Sequence, residues 1–148
     1  MARHRYLCPL RWSDMDAFGH VNNVPFLTYL EEARVDLLFV HLGSEAAAQK
    51  LASGVVVARH EIDYTAPLTF RPEPVAIDVW VTKLGTSSFT LAYEVKDDDG
   101  PVYARAATVM VPYDVKAERP RRVSEDERDA LSQFLEPPSL EPQSGESQ

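Results

Sequence analysis

The sequence predicts an α+β domain, and three observations carry the prediction. Apolar residues first recur at four-then-three spacing, then, after Gly54, at every second position, and clusters of Pro, Gly and Asp punctuate the second region. One long amphipathic helix followed by several antiparallel strands is what those patterns require.

Each element has its own signal. Tyr6, Cys8, Leu10 and Trp12 alternate with Leu7, Pro9 and Arg11, which predicts a first strand that Pro9 confines to an edge. Asn22 or Asn23 caps the helix, Pro25 suits its first turn, and Phe26, Leu30, Ala33, Leu37 and Val40 form its apolar face until Gly43. Glu31, Glu32, Asp36 and His41 occupy the other face, over a length of roughly 18 residues. Ser44 to Ala52 predicts a short second helix. Val55 to Tyr64, Val75 to Lys83, Ser87 to Lys96 and Val102 to Tyr113 then read as strands. Pro67, Pro72 and Pro74, Gly85, and Asp97-Asp98-Asp99-Gly100 separate them, so three successive hairpin-type connections are expected. Ser124 and Glu127 have capping-box spacing and open a last helix ending near Leu135. Residues 1–135 are therefore expected to form a single domain, and the Pro-, Ser- and Glu-rich residues 136–148 a disordered tail.

Composition narrows the function. With 148 residues, 45% of them hydrophobic, the chain has enough apolar material for one core. A net charge of −8 argues against a general nucleic-acid surface, which needs an excess of Lys and Arg. The lone Cys8 has no disulfide partner, and neither a signal segment nor a membrane-length apolar run is evident, so a cytoplasmic protein is expected, with no membrane contact. His20, His41 and His60 lack metal-ligand spacing, and no phosphate-binding glycine motif occurs, so neither metal nor cofactor is expected.

The chemistry gathers in residues 12–34, where a polar turn with Asp14, Asp16, His20, Asn22 and Asn23 runs directly into the long helix. A helix N-terminus offers unsatisfied N–H groups and the positive end of the dipole, so a carbonyl oxygen gaining charge is stabilised beside a carboxylate. Asp16 is open to two readings from the residues alone: a catalytic carboxylate, or an Asx-turn residue holding the loop.

The run Asp14-Met15-Asp16-Ala17-Phe18-Gly19-His20-Val21-Asn22-Asn23, with its helix and the Gly85-Thr86-Ser87-Ser88-Phe89 turn, resembles the hotdog-fold acyl-CoA thioesterases of the 4-hydroxybenzoyl-CoA thioesterase type. The likeness spans about Tyr6 to Arg122. It implies a long central helix wrapped by a curved antiparallel sheet, homodimers or homotetramers with sites between subunits, and hydrolysis of an acyl-CoA, or of a thioester on acyl carrier protein, without cofactor. It places the catalytic carboxylate at Asp16, as base or nucleophile, and the carbonyl-polarising N–H at Asn23. Gly19, His20, Asn23, Lys83 and Ser87 are the candidate substrate-contacting residues. The family's basic cluster for the coenzyme phosphates is replaced here by Gly85, Thr86 and Ser87, with only Lys83 nearby. Two rival readings are a hotdog enoyl-CoA hydratase, whose Asp-to-His spacing is one residue longer than Asp16 to His20, and a non-catalytic acyl-binding dimer.

Overall fold

The computed structural model describes residues 3–138. Five main strands form one antiparallel sheet: β1 (His4–Cys8), β2 (Val55–Tyr64), β3 (Val75–Leu84), β4 (Phe89–Lys96) and β5 (Val102–Asp114), in the order β1-β3-β4-β5-β2. A two-residue β6 (Arg119–Pro120) pairs with the end of β5. Helices α1 (Asn23–Val35), α2 (Glu45–Ala52) and α3 (Glu125–Ser132) complete the chain. The sheet curls into a half-barrel around α1, as the hotdog architecture demands.

Curling has a local cause. The β2/β5, β3/β4 and β4/β5 ladders each slip register once, at Val57/Arg59, Val81/Lys83 and Val95/Lys96. Each extra residue bends its strand and increases the twist. The concave face then presents Val75, Ile77, Val79 and Val81 beside Phe89, Leu91, Tyr93 and Val95, all buried, and α1 lays Phe26, Leu30 and Ala33 against them, with Leu37 just beyond its end.

Three features depart from the sequence expectation. β1 stops at Cys8, because Trp12–Asp14 wind into a 3-10 turn instead of extending the alternation. After Val35 the long helix widens into a π-helical turn, Asp36–Val40, which adds a residue to the turn and rotates the apolar stripe. Leu38 is buried as a result, while Val40, expected on the core face, is 65% exposed. The third is topological: β2 and β3 are not a hairpin, for β2 crosses to the far edge and pairs with β5. Proline-rich residues 65–74 make that crossing. Gly54 allows β2 to begin there, since a Cβ at this position would stand 2.3 Å from the Tyr113 carbonyl oxygen.

The expected capping box holds α3: Ser124 and Glu127 bond each other's backbone N–H, and the fully buried Glu127 carboxylate takes both Arg121 amino groups at 2.6 and 2.8 Å. The chain stays ordered past the predicted domain limit. Glu136 N–H donates to the Val81 carbonyl (2.8 Å), and its carboxylate pairs with Arg3. Most of the predicted tail, residues 139–148, lies outside the described residues. No described helix is long and apolar enough to cross a membrane.

Candidate active site

Met15 and Val21 form an antiparallel bridge, and between them the chain reverses over Asp16–His20. Asp16 N–H donates to the His20 carbonyl (2.7 Å) and Gly19 N–H to the Asp16 carbonyl (3.1 Å). Gly19 turns the corner at φ +76°, a conformation that side-chain-bearing residues rarely adopt. Asp16 shapes the loop with one oxygen only: Oδ1 accepts the Phe18 N–H (2.8 Å) and the His20 N–H (3.1 Å). Oδ2 takes no hydrogen bond among the described residues. The Phe18 and His20 amides, Phe18 foremost, hold the Asp16 carboxyl below its usual range, and the nearby His20 acts in the same direction. Asp16 therefore holds the loop through Oδ1 and leaves Oδ2 open.

Asp14, two residues earlier, is spent on structure. It is buried, accepts the Tyr29 hydroxyl at 2.7 Å and is gripped by Arg11, while its carbonyl accepts the Asn22 N–H (2.9 Å). That bond fixes where α1 starts relative to the loop.

The helix start differs from expectation in one respect. The Asn22 side chain caps α1 and accepts the Asn23 N–H at 2.8 Å, so the donor assigned to Asn23 is already engaged. Pro25 has no N–H. Among the described residues, the Val24 N–H, on the peptide whose carbonyl belongs to Asn23, has no hydrogen-bond partner.

A cavity of about 430 Å³ opens beside this helix end, lined by Asp16, Asn22, Asn23, Phe26, Tyr64 and Leu68 among others. Phe26 and Tyr64 meet edge to face, with ring centroids 5.4 Å apart. Both rings line the cavity. Phe18 projects into solvent at 81% exposure, and Tyr29 is buried against Asp14.

Asp16, Gly19, His20 and Asn23 therefore come together, but Lys83 and Ser87 do not join them within one chain. β3 begins beside the Cys8 end of β1 and runs ten residues away from it, which puts the 83–87 turn about 30 Å along the sheet. Nor is the Arg119–Arg122 cluster free for an anion as a whole, since Arg121 is committed to Glu127. Burial pushes the Cys8 thiol up to about 12, so it stays protonated and is no nucleophile. His60 bonds Thr108 (2.9 Å), and burial lowers its pKa.

One group with metal-ligand chemistry forms among the described residues: His4, Asp36 and His41. His4 Nε2 lies 2.7 Å and His41 Nδ1 3.3 Å from Asp36 Oδ2. Sequence spacing misses it because β1 supplies His4 and the π turn supplies the i,i+5 pair. The trio sits at the far end of the long helix from Asp16.

Known proteins share the fold that carries this site. Residues 10–134 match the model of the thioesterase-like superfamily. YsmA, an uncharacterized protein of Bacillus subtilis (strain 168), is 30% identical over 122 residues, which cover 82% of this chain and 80% of that one. A thioesterase of Thermus thermophilus, solved with coenzyme A and Zn, superposes with a TM-score of 0.74 at 30% identity, over 88% of this chain and 92% of the other. DHNA-CoA thioesterase of Staphylococcus aureus matches with a TM-score of 0.77 over 90% and 91% of the two chains, and at 22% identity that is a likeness of fold.

Proposed function

Because the chain belongs to the thioesterase-like superfamily and is a thioester hydrolase on the hotdog fold, we propose that it cleaves an acyl-CoA to a carboxylate and free coenzyme A, with Asp16 as the catalytic carboxylate. One observation carries the assignment: Asp16, whose Oδ2 is unbonded, lines the same small cavity as Asn22 and Asn23, the residues that start α1 at its positive end. The coenzyme bound to the Thermus thermophilus relative supports the substrate class.

The carbonyl oxygen of the thioester takes the Val24 N–H and gains negative charge there as the carbonyl carbon is attacked. In one route Asp16 takes a proton from the attacking water. In the other Oδ2 attacks directly, the C–S bond breaks, and water then hydrolyses the mixed anhydride. Either way the coenzyme leaves as thiolate, a good leaving group that demands little acid assistance. Label found in Asp16 after a turnover in heavy-oxygen water identifies the anhydride route, since only attack of water on the aspartyl carbonyl of the anhydride leaves it there.

We also propose a homodimer joined antiparallel along β2. That strand is exposed for most of its length, including Val56, Val57 and Tyr64. Antiparallel pairing reverses the ends of the second sheet, which brings the partner's turn after β3 to the Asp16 end of the first subunit. Lys83 and Ser87 would then reach the coenzyme from across the interface. Hydrolysis of a panel of acyl-CoA thioesters, followed by release of free thiol, tests the activity, and the best substrate defines the acyl class. Sedimentation at assay concentration tests the dimer. A fully active monomer refutes the shared site.

A further inference from the structure

Tyr64 ends β2 at the rim of the same cavity. Its hydroxyl donates to the Asn23 carbonyl oxygen at 3.2 Å. The Asn23 carbonyl and the Val24 N–H are opposite ends of one planar peptide group, so what binds the oxygen acts on the hydrogen. A hydrogen bond accepted at the carbonyl draws electron density from the peptide nitrogen and makes its N–H a stronger donor. The Val24 N–H is also one of the first-turn donors, which have no acceptor within the helix.

We propose that Tyr64 is a positioning residue for thioester hydrolysis: through the Asn23 carbonyl it fixes and polarises the peptide whose N–H holds the reacting carbonyl. This rests on the thioesterase reading above and names a residue that the sequence run around Asp16 does not contain. Several features suit the role. The ring is held edge to face by Phe26 from α1. Its backbone is tied down on both sides, by pairing with Ala104 and by the Thr65 N–H bond to the Tyr103 carbonyl (2.9 Å). Burial raises the pKa of the phenol, so the hydroxyl keeps its proton and remains a donor at neutral pH. Tyr64 is nevertheless 49% exposed, because its other face looks into the cavity. The strand therefore brings to the helix end a donor that the helix cannot supply for itself.

Tyr64→Phe is the test, since it keeps the ring and its contact with Phe26 and removes only the hydroxyl. A neutral hydrogen bond acting in the transition state corresponds to about 3–10-fold in rate, so kcat should fall by that factor while KM changes by less than about twofold. The second readout is the carbonyl stretch of a bound acyl-CoA, read by isotope-edited infrared spectroscopy in the Asp16→Asn background, where the substrate persists. Binding should lower that frequency, and adding Tyr64→Phe should return part of the shift. A higher KM with kcat and stretch unchanged would make Tyr64 a pocket wall. That result, no change in either readout, or a fall in kcat without the change in stretch overturns the proposal. If the wild-type protein hydrolyses no thioester, the functional reading fails, and the stretch of bound acyl-CoA with and without the hydroxyl still decides the role of Tyr64.

Discussion

The two flanks of α1 use polar groups in opposite ways. On the β1 and β3 flank, the outer face of the sheet is closed by ion pairs. Arg5 reaches Asp78 at 2.9 Å and Asp98 at 2.8 Å, Lys96 reaches Asp78 at 3.2 Å, and Arg3 bonds Glu94 and Glu136 while lying 3.5 Å over the Trp80 ring. Burial pushes the Asp78 carboxyl up, and the two cations outweigh it and hold it below the ordinary value. On the β2 flank, polar groups are left open. Asp16 lines the cavity with Oδ2 unpartnered, the Val24 N–H at the head of α1 has no partner either, and Arg34 Nη1, beside Val55 and Val57 of β2, is buried with no hydrogen bond among the described residues. A flank whose valences are all filled can only be stable. One that leaves valences unfilled is where a ligand or a second subunit is able to bind.

The sharpest way to break this contrast is Asp16→Asn. The amide oxygen can still accept from Phe18 and His20, so the loop and the melting temperature should persist, but the negative charge is gone. Turnover of the best thioester should drop by about 10²–10⁴-fold. Near-wild-type turnover in a folded variant would remove Asp16 from the mechanism.

The opposite flank should respond with stability and not with rate. Asp78→Ala strands two cations around a buried position. Breaking a buried pair costs roughly 3–5 kcal/mol, and the exposure of Arg5 (39%) reduces this to about 2 kcal/mol. Urea unfolding should show that loss, while kcat per folded molecule stays put. A rate defect in the folded variant would mean the flanks are coupled.

Titration sharpens the comparison further. Asp16 is held below the ordinary carboxylate value, so the acid limb of kcat/KM should lie at lower pH than an unperturbed carboxylate would give. Arg71 similarly depresses Asp97 in the β4–β5 turn, to about 2. Its folded pKa lies below the unfolded value, so its contribution to stability is complete above about pH 4 and is lost as pH falls toward about 2. Activity and stability should therefore decline together in acid. An acid limb near neutral pH would point to a group other than Asp16.

The smallest effect is expected from deleting residues 139–148. We propose that they lie outside the domain, so the melting temperature should move by less than about 1 °C. Deleting Glu136 as well should cost more, because Arg3 then keeps only Glu94 of its two carboxylate partners.

Local patterns were enough to read much of this from the chain. Period and punctuation located α1, α2, α3 and four of the strands to within a few residues, because side-chain alternation and capping are properties of neighbouring residues. The Asp16 loop was legible for the same reason: Asx-turn, Gly19 and cap are consecutive. What the sequence could not supply was anything set by non-local approach. The pairing of β2 with β5, the union of His4 with Asp36 and His41, and the separation of Lys83 and Ser87 from Asp16 follow from sheet order, which no period encodes. The π turn that buried Leu38 in place of Val40 likewise answers to packing. By itself the sequence determined that Asp16, Gly19, His20 and Asn22 share one polar turn at the head of the long helix. Only the tertiary structure decided that Asn22 takes the Asn23 N–H, that Val24 is the donor left free, and that Tyr64 stands behind it, because hydrogen-bond satisfaction is settled by distances between segments and not by their order.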